Sequence, residues 1–297
     1  MSAQIIDGKA IAAIINGETK LEAEKFARLY GRSPKLTVIL VGDDPASQVY
    51  VRNKVRTCGE VGIESEQLTL PEDTTEAELM ALIAKLNSDD GVDGLLVQSP
   101  VPKHIDEKKV IQAIDPDKDV DCFTEKNVGK LLIGERDSLM PCTPYGIVEL
   151  LRRSGISCRG KHAVVVGRSN IVGKPLAALL MQKSPEGDAT VTVVHSGTPD
   201  IATYTSQADI VIAAVGKPAF IRKDMVKKGA VVVDVGINRI FDEKLQKNRL
   251  VGDVAFDEVS EVAGAITPVP GGVGPMTIAM LMRNAVKAAF MRREKNF

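Results

Sequence analysis

The segment DDPASQVYVRNKVRTCGEVG, residues 43–62, sets Tyr50 and Lys54 four residues apart, on one side of a helix. The pair lies about a hundred degrees from the apolar stripe of Val51, Val55 and Cys58. An aromatic ring beside an amine, both lifted off the buried face, offers a stacking platform next to a proton-transfer group. The same spacing also describes an ordinary solvated pair, and spacing alone leaves both readings open. Gln98 in DGLLVQSPVP is a second candidate, because it ends a strand where open α/β sheets place ligand contacts. The prolines behind it stop the ladder and hold the segment extended. Asp115, Asp117, Asp119 and Asp121 in DPDKDVDCF alternate like the acids of a calcium loop. Counted from Asp117, the sixth residue is Cys122 and the twelfth Val128, where such a loop needs Gly and Glu. The stretch reads as a solvated acidic turn with one acid available to a ligand. His104, His162 and His195 lack partners at metal or triad spacing, so they read as incidental and no metal is expected.

A different chemistry is written in VVVGRSNIVGKP, residues 164–175. A valine run reaches Gly167, a polar loop follows, and Gly173 opens a helical pattern. This is the setting of the dinucleotide fingerprint G-x-G-x-x-G, with Ser169 where the middle glycine would be. A helix N-terminus there presents N–H groups to phosphate. An NAD site would put an acid at the end of the second strand, yet that strand ends VVHSGTP. Arg168 in the loop and Ser196 at that strand end suit a 2′-phosphate, so the loop reads as an NADP site. The competing reading is a plain strand-to-helix turn with a surface arginine. TPVPGGVGPMT, a rigid turn feeding the last helix, either lines a ligand cleft or joins domains.

These residues need a scaffold, and the chain supplies one. With 297 residues there is room for two domains, and a net charge of −1 argues against nucleic-acid or membrane-surface binding. No apolar run approaches a membrane span. The start shows no clear targeting segment, and Cys58, Cys122, Cys142 and Cys158 form no C-x-x-C pair. They read as reduced thiols in a cytosol-like compartment, with a mitochondrial matrix left open. Strand-like runs KLTVILVG and DGLLVQ flank the helix TTEAELMALIAKLNSD, whose Thr75 and Glu78 form a capping-box spacing. PCTPYGIVELLRRSG predicts a helix with Thr143 as N-cap, Pro144 in the first turn and Gly155 as the stop. HAVVVG, ATVTVVH, ADIVIAAVG and AVVVDVG then alternate with short helices, the pattern of a Rossmann-like unit. The expectation is an α/β chain of two domains. Residues 1–147 form an N-terminal α/β catalytic domain completed by a last helix at about 276–297. Residues 148–275 form a Rossmann-like NADP-binding domain with a parallel sheet.

Taken in order, IIDGKAIA, ASQVYVRNK, DGLLVQSPVP, DKDVDCF, PCTPYGIVELL, GRSNIVGKP and ITPVPGGVGPMT closely resemble the methylenetetrahydrofolate dehydrogenase/methenyltetrahydrofolate cyclohydrolase family. The resemblance covers nearly the whole chain. It implies a homodimer of two-domain subunits with tetrahydrofolate derivatives bound in the cleft between the domains. It implies oxidation of the methylene bridge with NADP and hydrolysis of the methenyl cation to 10-formyltetrahydrofolate, in one-carbon metabolism and purine biosynthesis. The chain is too short for the formate-activating synthetase domain that some members carry. By motif position Lys54 would be the catalytic lysine, Tyr50 the ring stacked on the folate, Gln98 the partner that tunes the lysine, and Asp121 the acid that holds the pterin. Val51, Arg52, Asn53, Val97 and Ser99 would line the substrate with Pro270, Gly271, Gly272, Val273 and Gly274. The cofactor positions would be Gly167, Arg168, Ser169, Ile171, Val172, Ser196, Gly216, Ile237 and Thr277. Two departures adjoin the site: Ser99 where the family commonly has leucine, and Cys122 where it usually has glycine. Two rivals differ in their demands. Another two-domain NADP dehydrogenase with a catalytic lysine would not require Tyr50, Gln98 and Asp121 together; a non-catalytic redox-sensing module would tolerate loss of Lys54.

Overall fold

The computed structural model describes residues 3–135, 137–242 and 246–294. The chain begins with strand β1 (Gln4–Ile5), helix α1 (Gly8–Tyr30), β2 (Lys35–Val41), α2 (Pro45–Val61), β3 (Glu64–Leu70), α3 (Glu76–Asn87) and β4 (Gly94–Val97). Helices α4 (Glu107–Ala113), α5 (Glu125–Ile133) and α6 (Cys142–Arg153) follow. Next come β5 (His162–Val166), α7 (Gly173–Met181), β6 (Thr190–Val194), α8 (Ala202–Thr205), β7 (Ile210–Ala213) and β8 (Val231–Asp234). The hairpin β9 (Asn238–Asp242) and β10 (Lys247–Val251), α9 (Phe256–Ser260), β11 (Ala265–Ile266) and α10 (Val273–Glu294) complete it.

Two compact units result: residues 13–142 with 278–297, and residues 1–12 with 143–277. In the first, β2 lies between β3 and β4 in a parallel sheet. The run LTVILV is buried because helices cover both faces of such a sheet. Ile39, Val41, Leu95 and Val97 pack with Leu79 and Ile83 of α3. Thr75 and Glu78 close the expected capping box on α3. Asp44 caps α2 by accepting from the Ser47 N–H at 2.7 Å, and Gly62 ends it at φ 78°. The Cys58 thiol meets the Met282 sulfur at 3.5 Å, which ties α2 to α10.

The second unit is a six-stranded parallel sheet in the order β1-β11-β8-β7-β5-β6. Its core stacks Val164, Val166, Val211, Ala213, Val232 and Ile266. The strand order reverses at β5, so the loops after β5 and β7 flank a topological switch point, where α/β sheets bind ligands. The division departs from the expected boundary at the start of the chain. Residues 1–12 join the 143–277 unit because β1 pairs with β11, Gln4 opposite Ala265, and the Lys9 N–H donates to the Gly271 carbonyl at 3.0 Å. The last helix leaves that unit at Ile278, and its expected residues 295–297 lie outside the described ones. Thr143 is not the N-cap of α6, since the helix already starts at Cys142; its hydroxyl instead meets that of Thr277 at 2.8 Å. Gly155 stops α6 as expected, at φ 72°.

Candidate active site

Within residues 13–142, α2 and the end of β4 meet. Lys54 is half-buried and its Nζ donates to Gln98 Oε1 at 3.1 Å. The Gln98 N–H extends the ladder by donating to the Ile39 carbonyl at 2.8 Å, and its Nε2 donates to the Ser99 carbonyl at 2.7 Å. That second bond turns the amide so that its oxygen faces the lysine. Ser99 serves through its backbone, so the side chain that departs from the family pattern is not part of this contact. Tyr50 is 43% exposed. Val51 and Val97 are buried beneath, Asn53 is half-buried, and Arg52 is exposed.

The acidic stretch is not a solvated turn. It runs alongside β4, with a parallel bridge between Leu95 and Asp119, and it buries two charged side chains. Lys118 is fully buried; its Nζ donates to the carbonyls of Leu86 at 2.7 Å and Asp89 at 2.6 Å, and burial pushes the amine down to about 8. Asp119 accepts from the N–H groups of Phe123 and Thr124 and from Asn127 Nδ2 at 3.0 Å; burial raises its pKa and these donors oppose the rise. The framework holds Asp121 half-buried. Cys142 locates it further: burial holds that thiol well above its usual value, the Asp121 charge adds to the rise, and the Lys54 ammonium opposes it. Both charges therefore lie within electrostatic reach of one buried sulfur. Cys122 explains its own departure from glycine only in part. It sits at φ 62°, a conformation that favours glycine, and is buried with its thiol directed at the Leu139 carbonyl at 3.2 Å.

Residues 143–277 carry the second cluster. A Cβ at Gly167, φ 133°, would run into the Ala214 carbonyl, and one at Gly173 would run into the Gly167 carbonyl. Gly167 and Gly173 thus pack the loop after β5 against the end of β7 and against its own helix, Gly173 standing one residue beyond the fingerprint's third position, which holds Val172. Ser169 Oγ accepts from the N–H groups of Val172 at 3.1 Å and Gly173 at 3.3 Å, so the serine braces the turn that enters α7, where the fingerprint has a bare glycine. Arg168, Ser196 and Ile171 are exposed, and Gly216 has φ 67°. The turn Pro270–Gly274 borders Ile237, whose Cδ1 lies 3.7 Å from where a Cβ on Gly274 would stand. Thr277 is engaged with Thr143.

His195, read from sequence as incidental, belongs to this cluster. Its Nδ1 accepts from the Gly197 N–H at 3.1 Å, which leaves the ring proton on Nε2, 3.3 Å from the Arg168 guanidinium. Two donors face each other, and an anion beside them would accept from both. The donor set fits a phosphate monoester. The signal lay in the pair His195–Ser196 at the end of β6, the place where an acid would mark an NAD site. Among the described residues no group of His, Cys, Asp and Glu is arranged to hold a metal, and no helix is long and apolar enough to cross a membrane.

Comparison with known proteins places this geometry. The family model for the tetrahydrofolate dehydrogenase/cyclohydrolase catalytic domain matches residues 6–121, and that for its NAD(P)-binding domain matches residues 141–293. The chain is 57% identical over 284 residues to the bifunctional protein FolD of Chlorobium phaeovibrioides, covering 95% of this chain and 96% of that protein. It is 56% identical over 289 residues to the FolD of Acetivibrio thermocellus, covering 97% and 98%. The crystal structure of the bifunctional dehydrogenase/cyclohydrolase FolD of Campylobacter jejuni superposes with a TM-score of 0.92 at 48% identity, covering 98% of this chain and 100% of that one. The Trypanosoma brucei enzyme, solved with NADP cofactor and an inhibitor, gives 0.92 at 42% identity, covering 99% of both chains. On two matched domains and more than half of all residues identical over nearly full length, the chain belongs to the tetrahydrofolate dehydrogenase/cyclohydrolase family.

Proposed function

We propose that the chain oxidises the methylene bridge of 5,10-methylenetetrahydrofolate with NADP and then adds water to the methenyl cation, releasing 10-formyltetrahydrofolate and a proton. The observation that carries this reading is the Lys54–Gln98 contact at 3.1 Å on a family scaffold. NADP supplies a hydride acceptor, and removal of hydride leaves a cation shared by the two flanking nitrogens. That step depends on holding the reactants in place. Tyr50 stacks on the folate, and Asp121 accepts from the amino and ring N–H groups of the pterin. Val51, Arg52, Asn53, Val97 and Ser99 line the substrate.

Hydrolysis has a different requirement, since attacking water loses a proton and the departing nitrogen regains one. Lys54 moves both protons, and Gln98 orients it through a neutral oxygen that does not pin it as a cation. Arg168, His195 and Ser196 take the 2′-phosphate of NADP, while Gly167, Ser169, Ile171, Val172, Gly216, Ile237 and Thr277 line the dinucleotide. The Trypanosoma brucei relative solved with NADP supports this cofactor. Residues 13–142 with 278–297 form the folate domain, residues 1–12 with 143–277 the NADP domain, and the family resemblance supports a homodimer in a cytosol-like compartment. The test is an assay with methylenetetrahydrofolate and NADP or NAD, with NADPH and methenyl absorbance followed separately. NADPH formation with transient methenyl is expected. Product formed with NAD alone, or no hydrolysis of added methenyltetrahydrofolate, would overturn the reading.

A further inference from the structure

Asp253 is fully buried in the 143–277 unit, and its carboxylate accepts four hydrogen bonds. The N–H groups of Val215 at 2.7 Å and Gly216 at 2.9 Å donate to Oδ2; those of Lys217 at 2.9 Å and Asn238 Nδ2 at 2.9 Å donate to Oδ1. Three consecutive backbone N–H groups converging on one anion form a nest. Here the anion is a side chain of the same fold, not a ligand. The nest is the loop that follows β7, beside the switch point, and Asn238 opens β9 directly after the turn from β8. One carboxylate therefore clamps two of the three loops at the carboxyl ends of the central strands. The third loop rests on the first, because Gly167 packs against the Ala214 carbonyl.

The clamp is itself held. Asp234, at the end of β8, accepts from the N–H groups of Gly236 at 2.9 Å, Asp253 at 2.8 Å and Val254 at 2.9 Å. Gly236 and Gly252 leave room for the two acids, since a Cβ at either would collide with the carboxylate of Asp253 or Asp234. Burial pushes the Asp234 carboxyl up to about 6, and the donated N–H bonds restrain the rise. Two neighbouring buried acids are an expensive way to finish a turn. The partners of Asp253 lie in the two segments that carry Gly216 and Ile237: the N–H groups of residues 215–217 and the Asn238 side chain.

We propose that Asp253 is a positioning residue for the dinucleotide: it sets the shape of residues 215–217 and 238, and through them NADP affinity, without touching the cofactor. The proposal rests on the NADP reading above. Asp253→Asn keeps the size but turns one acceptor into a donor aimed at backbone N–H groups. The expected result is a KM for NADP raised about tenfold or more, with kcat at saturating NADP within about threefold of wild type. Hydrolysis of methenyltetrahydrofolate without NADP should stay within about twofold, reporting an intact folate unit. Amide exchange at Val215, Gly216 and Lys217 should accelerate about tenfold or more, which a remote packing defect would not single out. An unchanged KM for NADP, or a raised KM with unchanged exchange at these three amides, overturns the proposal. Should Asp253→Asn fail to fold, Asn238→Ala removes one donor of four and is expected to raise the KM for NADP about threefold; no change overturns the proposal equally. Wild-type protein that does not saturate with NADP overturns the cofactor reading and this proposal together; wild-type saturation with unaffected variants overturns this proposal alone.

Discussion

Replacing Gln98 by Glu keeps the length of the side chain and turns the neutral oxygen beside Lys54 into an anion. At the observed 3.1 Å, a unit charge pair attracts by about 1.3 kcal/mol in a water-like dielectric and by about 5 kcal/mol at an effective dielectric of about 20. Lys54 is half-buried, so the attraction falls between these limits. It favours the ammonium and must be overcome whenever the amine takes a proton from water. At fixed neutral pH this slows hydrolysis by about tenfold to several thousandfold. A second effect opposes the first: Glu has no N–H for the Ser99 carbonyl, so the carboxylate loses the bond that orients the native amide. The expected outcome is a loss of about tenfold or more in methenyl hydrolysis near pH 7, recovered by raising the pH. Dehydrogenation should suffer less, because no proton leaves carbon. Stopped-flow decay of methenyl absorbance from about pH 6 to about pH 10, with NADPH formation followed separately, gives both rates. An unmoved pH–rate profile, or a loss identical at every pH, would show that Gln98 contributes packing and not charge control.

Four further outcomes follow from the same geometry. Lys54→Met should lower hydrolysis about 10²–10⁴-fold while measurable dehydrogenase activity remains and methenyltetrahydrofolate accumulates; equal losses in both reactions would make the lysine a shared positioning group. Arg168→Ala should weaken NADP by about tenfold to a hundredfold, and NAD by no more than about threefold, in direct binding measurements; parallel losses would return the arginine to the loop. Asp121→Asn, which exchanges an acceptor for a donor, should cut kcat/KM for the folate by about tenfold or more at unaltered NADP affinity; normal folate kinetics would refute its pterin role. Cys122→Gly relieves about 1–2 kcal/mol of left-handed strain and forfeits the buried thiol, so its melting temperature should exceed that of Cys122→Ala, which keeps the strain and loses the sulfur; the reverse order would show that φ 62° is not strained.

Local chemistry was readable wherever one segment held all of it. Asp44, Pro45 and Gly62 announced both ends of α2, and the apolar runs 36–41 and 94–97 announced the strands β2 and β4. β3, with the sequence ESEQLTL, carries no such run. It is a strand because its backbone pairs along its whole length with β2, and an edge position lets its polar side chains face water. The spacing of Tyr50 and Lys54 was legible, but Gln98 is 44 residues from the lysine and reaches it only because β4 lies beside β2. The acids at 115–121 looked alike in sequence. Nonlocal pairing with Leu95 is what buries Asp119 and Lys118. His195 and Asp253 were hidden for the same reason: the partners of each come from another loop.

The pairing of β1 with β11 also bears on how the chain acquires its structure. Gln4 and Ile5 are made long before their partners Ala265 and Ile266. During vectorial synthesis β1 has nothing to pair with until residues 265–266 have emerged, and closing so long a loop is entropically costly and slow. The 13–142 stretch holds all three strands of its own sheet and is able to collapse early, while the six-stranded sheet finishes by adding its edge at the end. Extra residues fused ahead of Gln4 should therefore delay the last stage of refolding more than they disturb the finished protein.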